Sequence, residues 1–403
     1  MSDQKRVSPV RANLVLATLF VGMFVLGSSE LLVVGVLNVI AADLRVSIPE
    51  AGGLVSALAL GLAIGGPLLT ALTIRVDRRT VLIAALVLFT AATLVAVWTS
   101  SFGLFVAARV VTGALQGLFI AAGFAVGTSV VPPERMGRAI SAVFGGITTS
   151  AAFGVPLGTL VGQQLGWRGS FVALAVLSVV ALAATAAVVP SVPSATGGFG
   201  SQARHAFAPR VLAVLLLDFV LFTGVFTALT YLAPFLESVV GVTGAVLSAF
   251  LLAYGVATAA GSVGGGRFAD RNASLTLIVA TVGTTVALLA LYLVGAHALA
   301  VAVALVGLGL FAMGGVPSLQ HRTISLAGPG AALAQPLPAS AANLGIALGA
   351  FAGGIAIDRF DVSAAVLTGV GIAVVAIVLA VATSRLALPV VQEPAEPATE
   401  PAA

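Results

Sequence analysis

The sequence predicts an all-α membrane protein with twelve transmembrane helices in two pseudo-symmetric six-helix bundles. Three observations predict it. Of 403 residues, 60% are hydrophobic and only 8% charged, with a mean hydropathy of +1.17. A soluble domain carries about 25% charged residues, so this chain lacks the polar surface that water would require. Twelve apolar runs each approach the ~20 residues needed to cross a bilayer. Finally, a pattern of glycines in the first half returns in the second, displaced by 191 residues.

The runs are 14–38, 51–74, 80–99, 102–127, 137–162, 169–190, 210–235, 243–266, 273–294, 298–320, 332–357 and 362–384. Lys5, Arg6 and Arg11 precede the first, as in a secretory signal. Its apolar stretch is too long for a signal core, and eleven more spans follow. An even number of spans puts both termini on one side. With the N-terminus inside, fourteen Lys and Arg fall in inner segments and only Arg45, Arg168 and Arg359 in outer loops. This bias orients the chain with both ends cytoplasmic.

The longest polar break, 191–209, is rich in Gly, Ser and Pro and reads as a cytoplasmic linker. It divides an N-terminal bundle (1–190) from a C-terminal bundle (210–385), and the Pro/Glu/Ala-rich tail 386–403 reads as disordered. Span 5 carries Gly154, Gly158 and Gly162 ahead of Arg168; span 11 carries Gly345, Gly349 and Gly353 ahead of Arg359. A spacing of four puts such glycines on one helix face, where another helix can approach closely. Two related membrane halves around a central site suggest a rocking transporter.

The absence of Cys excludes disulfides and thiolate metal sites, and the three His are scattered. No metal or other cofactor is expected. "GSVGGGRF" lacks the Lys-Ser/Thr pair of a phosphate loop. The net charge of +4 comes from bases at helix ends without interleaved aromatics, which argues against nucleic acid. Short, nearly bare outer loops argue against a membrane enzyme. The lack of charge rings or a filter-like loop argues against a channel.

Three ionisable residues lie well inside spans: Glu30 in span 1, Arg109 in span 4 and Asp218 in span 7. Such residues cost about 2.5–3.5 kcal/mol each when facing lipid, so they normally face a cavity or a partner. At 1.5 Å per residue, Glu30 lies about 24 Å from the inner end and Arg109 about 10 Å from the outer end, at comparable depth. Two roles for Arg109 stay open, pairing with Glu30 and bonding backbone carbonyls of span 1. Asn38, Gln116 and Tyr231 are candidate substrate contacts, with interhelical hydrogen bonding as the competing role.

Several motifs resemble the major facilitator superfamily. "TIRVDRR" resembles the signature of its loop between spans 2 and 3, with Arg75, Arg78 and Arg79 in place but Thr70, Ile74 and Asp77 at the positions of the first Gly, the Asp and the second Gly. Asp77 is a candidate to replace the missing Asp, which in the family helps lock the inner gate. Gly266, Asp270 and Arg271 resemble the same signature more closely. "ARVVTGALQG", with Arg109, Gly113 and Gly117, resembles the span-4 signature of proton-coupled members. "GVPLG", with Gly154, Pro156 and Gly158, resembles the span-5 signature of drug antiporters, and "GWRGSF" is similar to the stretch that follows it in the twelve-span drug:proton branch. The resemblance is to bacterial arabinose, purine-ribonucleoside and chloramphenicol exporters. It implies a monomeric antiporter in the bacterial cytoplasmic membrane that exchanges protons for small organic molecules, with spans 1, 4, 7 and 10 lining the cavity. A proton symporter importing a nutrient is the alternative. Under this reading Glu30, Arg109 and Asp218 serve proton coupling, with hydrogen bonds to neighbouring Ser or Thr as the competing role for Glu30 and a substrate contact or snorkelling toward the inner face for Asp218, and Pro156 bends span 5.

Overall fold

The computed structural model describes residues 9–132, 135–192, 204–295 and 297–386. Most of the linker and almost all of the tail predicted above lie outside the described residues. Among the described residues, eleven helices are long and apolar enough to cross a membrane. One of them, Gly244–Leu293, has 50 residues, about 75 Å of helix and too long for one crossing. Its backbone leaves helical geometry at Asn272 (φ −158°, ψ 88°), whose Oδ1 accepts from Leu275 N at 3.0 Å and so caps a new helix. The count is therefore twelve.

We label them α1 (Pro9–Gly35), α2 (Ile48–Leu72), α3 (Arg78–Trp98), α4 (Phe102–Ser129), α5 (Arg138–Leu165), α6 (Trp167–Val188), α7 (Pro209–Leu229), α8 and α9 (244–271 and 273–293), α10 (Ala298–Ala327), α11 (Leu337–Arg359) and α12 (Val362–Ser384). Local chemistry sets the ends. Ser47 and Glu50 form a reciprocal capping box ahead of α2, with Pro49 in its first turn. Asp77 caps α3, Ser101 caps α4 and Asp361 caps α12. Gly166, at φ 77°, joins α5 to α6 through a conformation that side chains rarely adopt.

Two expected spans end early. α1 stops at Gly35 and the backbone breaks at Val36 (φ −123°, ψ 18°), so Asn38 lies in a separate short helix, Leu37–Leu44, rather than two turns beyond Glu30 on one face. The seventh span was expected to reach 235. α7 stops at Leu229, and Tyr231 precedes a short helix, Leu232–Phe235. Both stretches are predominantly apolar, so hydropathy did not mark the breaks.

The helices form two six-helix bundles, α1–α6 and α7–α12. Exposed Leu60, Ile64, Leu68 and Leu72 make a stripe along α2, as expected of a lipid-facing surface. The displaced glycine pattern reappears in the packing. A Cβ on Gly154, Gly158 or Gly162 of α5 would strike Ser28, Leu32 or Val36, which are spaced by four along and just past α1. A Cβ on Gly345, Gly349 or Gly353 of α11 would strike the carbonyl oxygens of Phe219, Thr223 and Thr227 on α7. Thus α5 lies on α1 as α11 lies on α7. The expected bend at Pro156 is taken up as a π turn, Ser150–Gly154, just before the proline. A similar turn, Gly61–Gly65, precedes Pro67 in α2. A proline removes one helical donor and crowds the carbonyl four residues back, and a widened turn relieves both.

Gly113 of α4 lets α2 approach closely: a Cβ there would fall 2.0 Å from Leu58 O. Gly113→Ala should therefore destabilise the purified protein by about 1–3 kcal/mol. Gly266→Ala, where the added methyl meets nothing within 4 Å, should be neutral or stabilising by up to about 1 kcal/mol. Thermal unfolding in detergent compares the two.

Trp167 Nε1 donates to Asp43 at 3.0 Å, and Arg168 pairs with the same carboxylate oxygen. The Trp167 bond and then the Arg168 bond hold the Asp43 carboxyl below its ordinary range. Stability from a depressed carboxylate is present above the unfolded pKa of about 3.9 and is lost as pH falls through the folded value. Below about pH 4 the unfolding temperature of the wild type should accordingly fall more steeply than that of Asp43→Asn, measured by scanning unfolding across pH.

Candidate functional site

The candidate site is built where α1, α2 and α4 meet. Arg109 is 1% exposed on α4, and its guanidinium is divided among backbone acceptors. Nη1 donates to Ser29 O at 2.9 Å and to Ser29 Oγ at 3.0 Å. Nη2 donates to Glu30 O at 3.3 Å, and Nε to Leu54 O of α2 at 3.3 Å. Of the two roles left open by the sequence, this geometry is the carbonyl-bonding one. The contacts among the described residues include no ion pair between Arg109 and the Glu30 carboxylate.

The Glu30 side chain is half-buried on α1, and its carboxylate has a different partner. Gln116 Nε2, two turns along α4 from Arg109, donates to Glu30 Oε2 at 2.8 Å. Gln116 is 1% exposed, and its own Oε1 is buried without a partner. A neutral amide therefore holds the carboxylate while the neighbouring cation holds the helices. This arrangement leaves the carboxyl group unlocked by any opposite charge at bonding distance.

Asp218 is 2% exposed on α7 and has no hydrogen-bond or ion-pair partner among the described residues. It is not bonded to the Glu30–Arg109–Gln116 group. The candidate substrate contacts are all occupied in interhelical bonds. Gln116 binds Glu30 as above, and Tyr231 donates to Ala350 O of α11 at 2.7 Å. Asn38 Nδ2 donates to Glu237 Oε2. Glu237, in the π turn Leu236–Val240, was not singled out from the sequence. Its signal was a lone acid in the apolar run "PFLESVV".

The loop motifs behave differently in the two halves. Asp77 accepts from Arg79 N at 3.0 Å, Thr80 N at 3.2 Å and Ser191 Oγ at 2.6 Å. Arg78 donates to Ile74 O at 3.2 Å, Arg78 N to Val192 O at 3.0 Å, and Arg79 to Ala186 O at 2.5 Å. The bonds to Ala186, Ser191 and Val192 grip the chain as it leaves α6, and none of these bonds reaches the second bundle. Arg75, Asp270 and Arg271 are exposed. Among the described residues no three His, Cys, Asp or Glu side chains come together as metal ligands would.

Comparison with known proteins agrees with this architecture. The description "Major Facilitator Superfamily" matches residues 19–335. The chain is 32% identical over 355 residues to the inner membrane transport protein YdhP of Escherichia coli (strain K12), covering 87% of this chain and 90% of that protein. It is 32% identical over 355 residues to the chloramphenicol efflux pump Rv0191 of Mycobacterium tuberculosis (strain ATCC 25618 / H37Rv), covering 85% and 86%. A solved bacterial homologue of the human lysosomal transporter Spinster, in an inward-facing and unoccupied conformation, shares the fold with a TM-score of 0.74. That likeness spans 94% of this chain and 98% of the other at 16% identity. With twelve crossings in two related bundles and a family match across most of its length, the chain belongs to the major facilitator superfamily and is a multi-pass membrane transporter.

Proposed function

We propose that the protein is a proton-coupled exporter of small organic molecules, working by alternating access in a bacterial cytoplasmic membrane with both termini in the cytoplasm. The observation that carries this reading is the Glu30 carboxyl group. It is half-buried where α1 meets α4 and bonded by the neutral Gln116 amide at 2.8 Å. A carboxylate clamped by a guanidinium resists protonation, whereas one held by an amide can take up and release a proton as its access to water changes. Arg109 keeps α1, α2 and α4 in register so that the bundle moves as one body. Asp218 is a second ionisable group of the cavity, and Gln116 is the hydrogen-bond partner of Glu30.

In the exchange cycle a proton enters from the outer side and binds Glu30. It is released to the cytoplasm as the halves rock, and substrate leaves in the opposite sense. The substrate class is neutral or weakly polar amphiphiles of the chloramphenicol kind. Two features support this: a largely apolar chain with few buried charges, and 32% identity to a chloramphenicol efflux pump. The arginine excess of one set of loops supports the orientation. We further propose a functional monomer, with bundle limits at 1–190 and 210–385.

Glu30→Gln should insert normally but lose export driven by a pH gradient, measured with chloramphenicol in inverted vesicles with and without an uncoupler. Full coupled export by that variant would sink the proton role. Uptake driven by an inward proton gradient would reverse the direction. Arg109→Lys should lower stability by about 1–3 kcal/mol through loss of the planar fork and its carbonyl bonds, read as a fall in unfolding temperature with parallel loss of transport.

A further inference from the structure

We propose that the Asn38–Glu237 hydrogen bond is a latch that closes the protein at the end opposite its arginine-rich loops, and that this bond breaks each time the cavity opens there. The inference rests on alternating access but not on the role of Glu30.

Among the described residues, the hydrogen bonds between the two bundles gather toward that end, while Gly255 of α8 packs on Ala151 of α5 nearer mid-span. Besides Asn38 and Glu237, Ser56 Oγ of α2 donates to Ala347 O of α11 at 2.8 Å. The Tyr231 hydroxyl lies against Gly52 of α2, where a Cβ would approach it to 2.2 Å, and Gly354 of α11 faces Pro49. At the other end Asp77, Arg78 and Arg79 are bonded to their own bundle and to the chain just leaving it, not to the second bundle. The conformation is therefore closed on the Asn38–Glu237 side.

Within this seam the latch pair differs from its neighbours. The Ser56 hydrogen bond ends on a backbone carbonyl, the Tyr231 hydroxyl is bonded to Ala350 O within its own bundle, and glycine packing supplies the rest. Asn38 to Glu237 joins two side chains, one of them a carboxylate, and both are only half-buried. Water can replace each partner when they part, so breaking this bond costs little net free energy. Asn38 Oδ1 is buried and unpartnered, so the closed state leaves an acceptor that opening would satisfy. Such a contact is suited to repeated release.

Both partners also sit on movable pieces. Asn38 follows the break at Val36 that ends α1, and Glu237 follows the break at Tyr231 (φ −106°, ψ 22°) that ends α7. α1 and α7 are equivalent helices of the two bundles, so the latch ties corresponding ends together. It also lies just beyond the break that follows Glu30 on α1, which offers a short route from the ionisable group to the gate.

The chain contains no Cys, so thiols can be introduced one at a time. Ser56→Cys reports access to the seam through labelling by a membrane-impermeant maleimide applied from the latch side. Adding Asn38→Asp places two carboxylates together, and labelling should become several-fold faster. Adding Glu237→Gln as well restores an amide–carboxylate pair with the roles exchanged and should return labelling to the parent rate. Unchanged labelling in Asn38→Asp, or no return in the exchanged pair, would overturn the latch. In Asn38→Cys/Glu237→Cys, a short bis-methanethiosulfonate linker should stop transport until reduced, and a linked protein transporting at the unlinked rate would also overturn it. Labelling needs no proton gradient, so failure of proton coupling at Glu30 leaves this result readable on its own.

Discussion

A guanidinium buried among membrane helices must find oxygen for its donors, because lipid supplies none. Arg109 meets this constraint by spreading its bonds over the carbonyls of Ser29, Glu30 and Leu54 and the hydroxyl of Ser29. The result joins α1, α2 and α4 through backbone atoms that cannot move without moving whole helices. Glu30 is thereby held beside a cation without being neutralised by it at bonding distance. The Gln116 amide, one polar step away, becomes the group that touches the carboxylate. The candidate chemistry of the site depends on this separation between the charge that builds and the charge that can change.

The same economy of polar contacts shapes the seam between the bundles. Two hydrogen bonds, glycine faces and one buried tyrosine close one end, while the arginine-rich loops at the other end are bonded within their own half. Hydrophobic association gives little driving force between helices in lipid, so close packing and a few polar bonds decide which end is shut. A seam built this way can be opened by breaking few polar bonds. An alternating-access transporter requires a seam of that kind.

Much of this is legible in the sequence alone. The twelve crossings follow from hydropathy because bilayer thickness imposes a length, and each long helix overlaps its apolar run, though α7 ends before its run does and α10 continues past its own. The repeat of Gly154, Gly158 and Gly162 as Gly345, Gly349 and Gly353 was readable as a shared packing face, and both sets do lie against the first helix of their own bundle. Glu30 and Arg109 stood out because charge is rare in such runs. Less legible was what each would touch. The first apolar run extends to Asn38, yet α1 ends at Gly35 and the backbone breaks at Val36, inside a stretch with no charge or proline to mark the end. Asp77, a candidate for a lock between halves, instead caps α3 and holds Ser191.

The sequence by itself determined the number of crossings, the duplicated design, the family and the identity of the buried ionisable groups. These depend on solvent, length and residue type, which are local properties of the chain. Only the tertiary structure decided the partners. Arg109 bonds carbonyls rather than the Glu30 carboxylate, Gln116 holds that carboxylate, and Glu237 reaches across from the other bundle to Asn38. Those choices are made among residues 86 and 199 positions apart, by helix rotations and breaks that leave no mark in an unbroken apolar run.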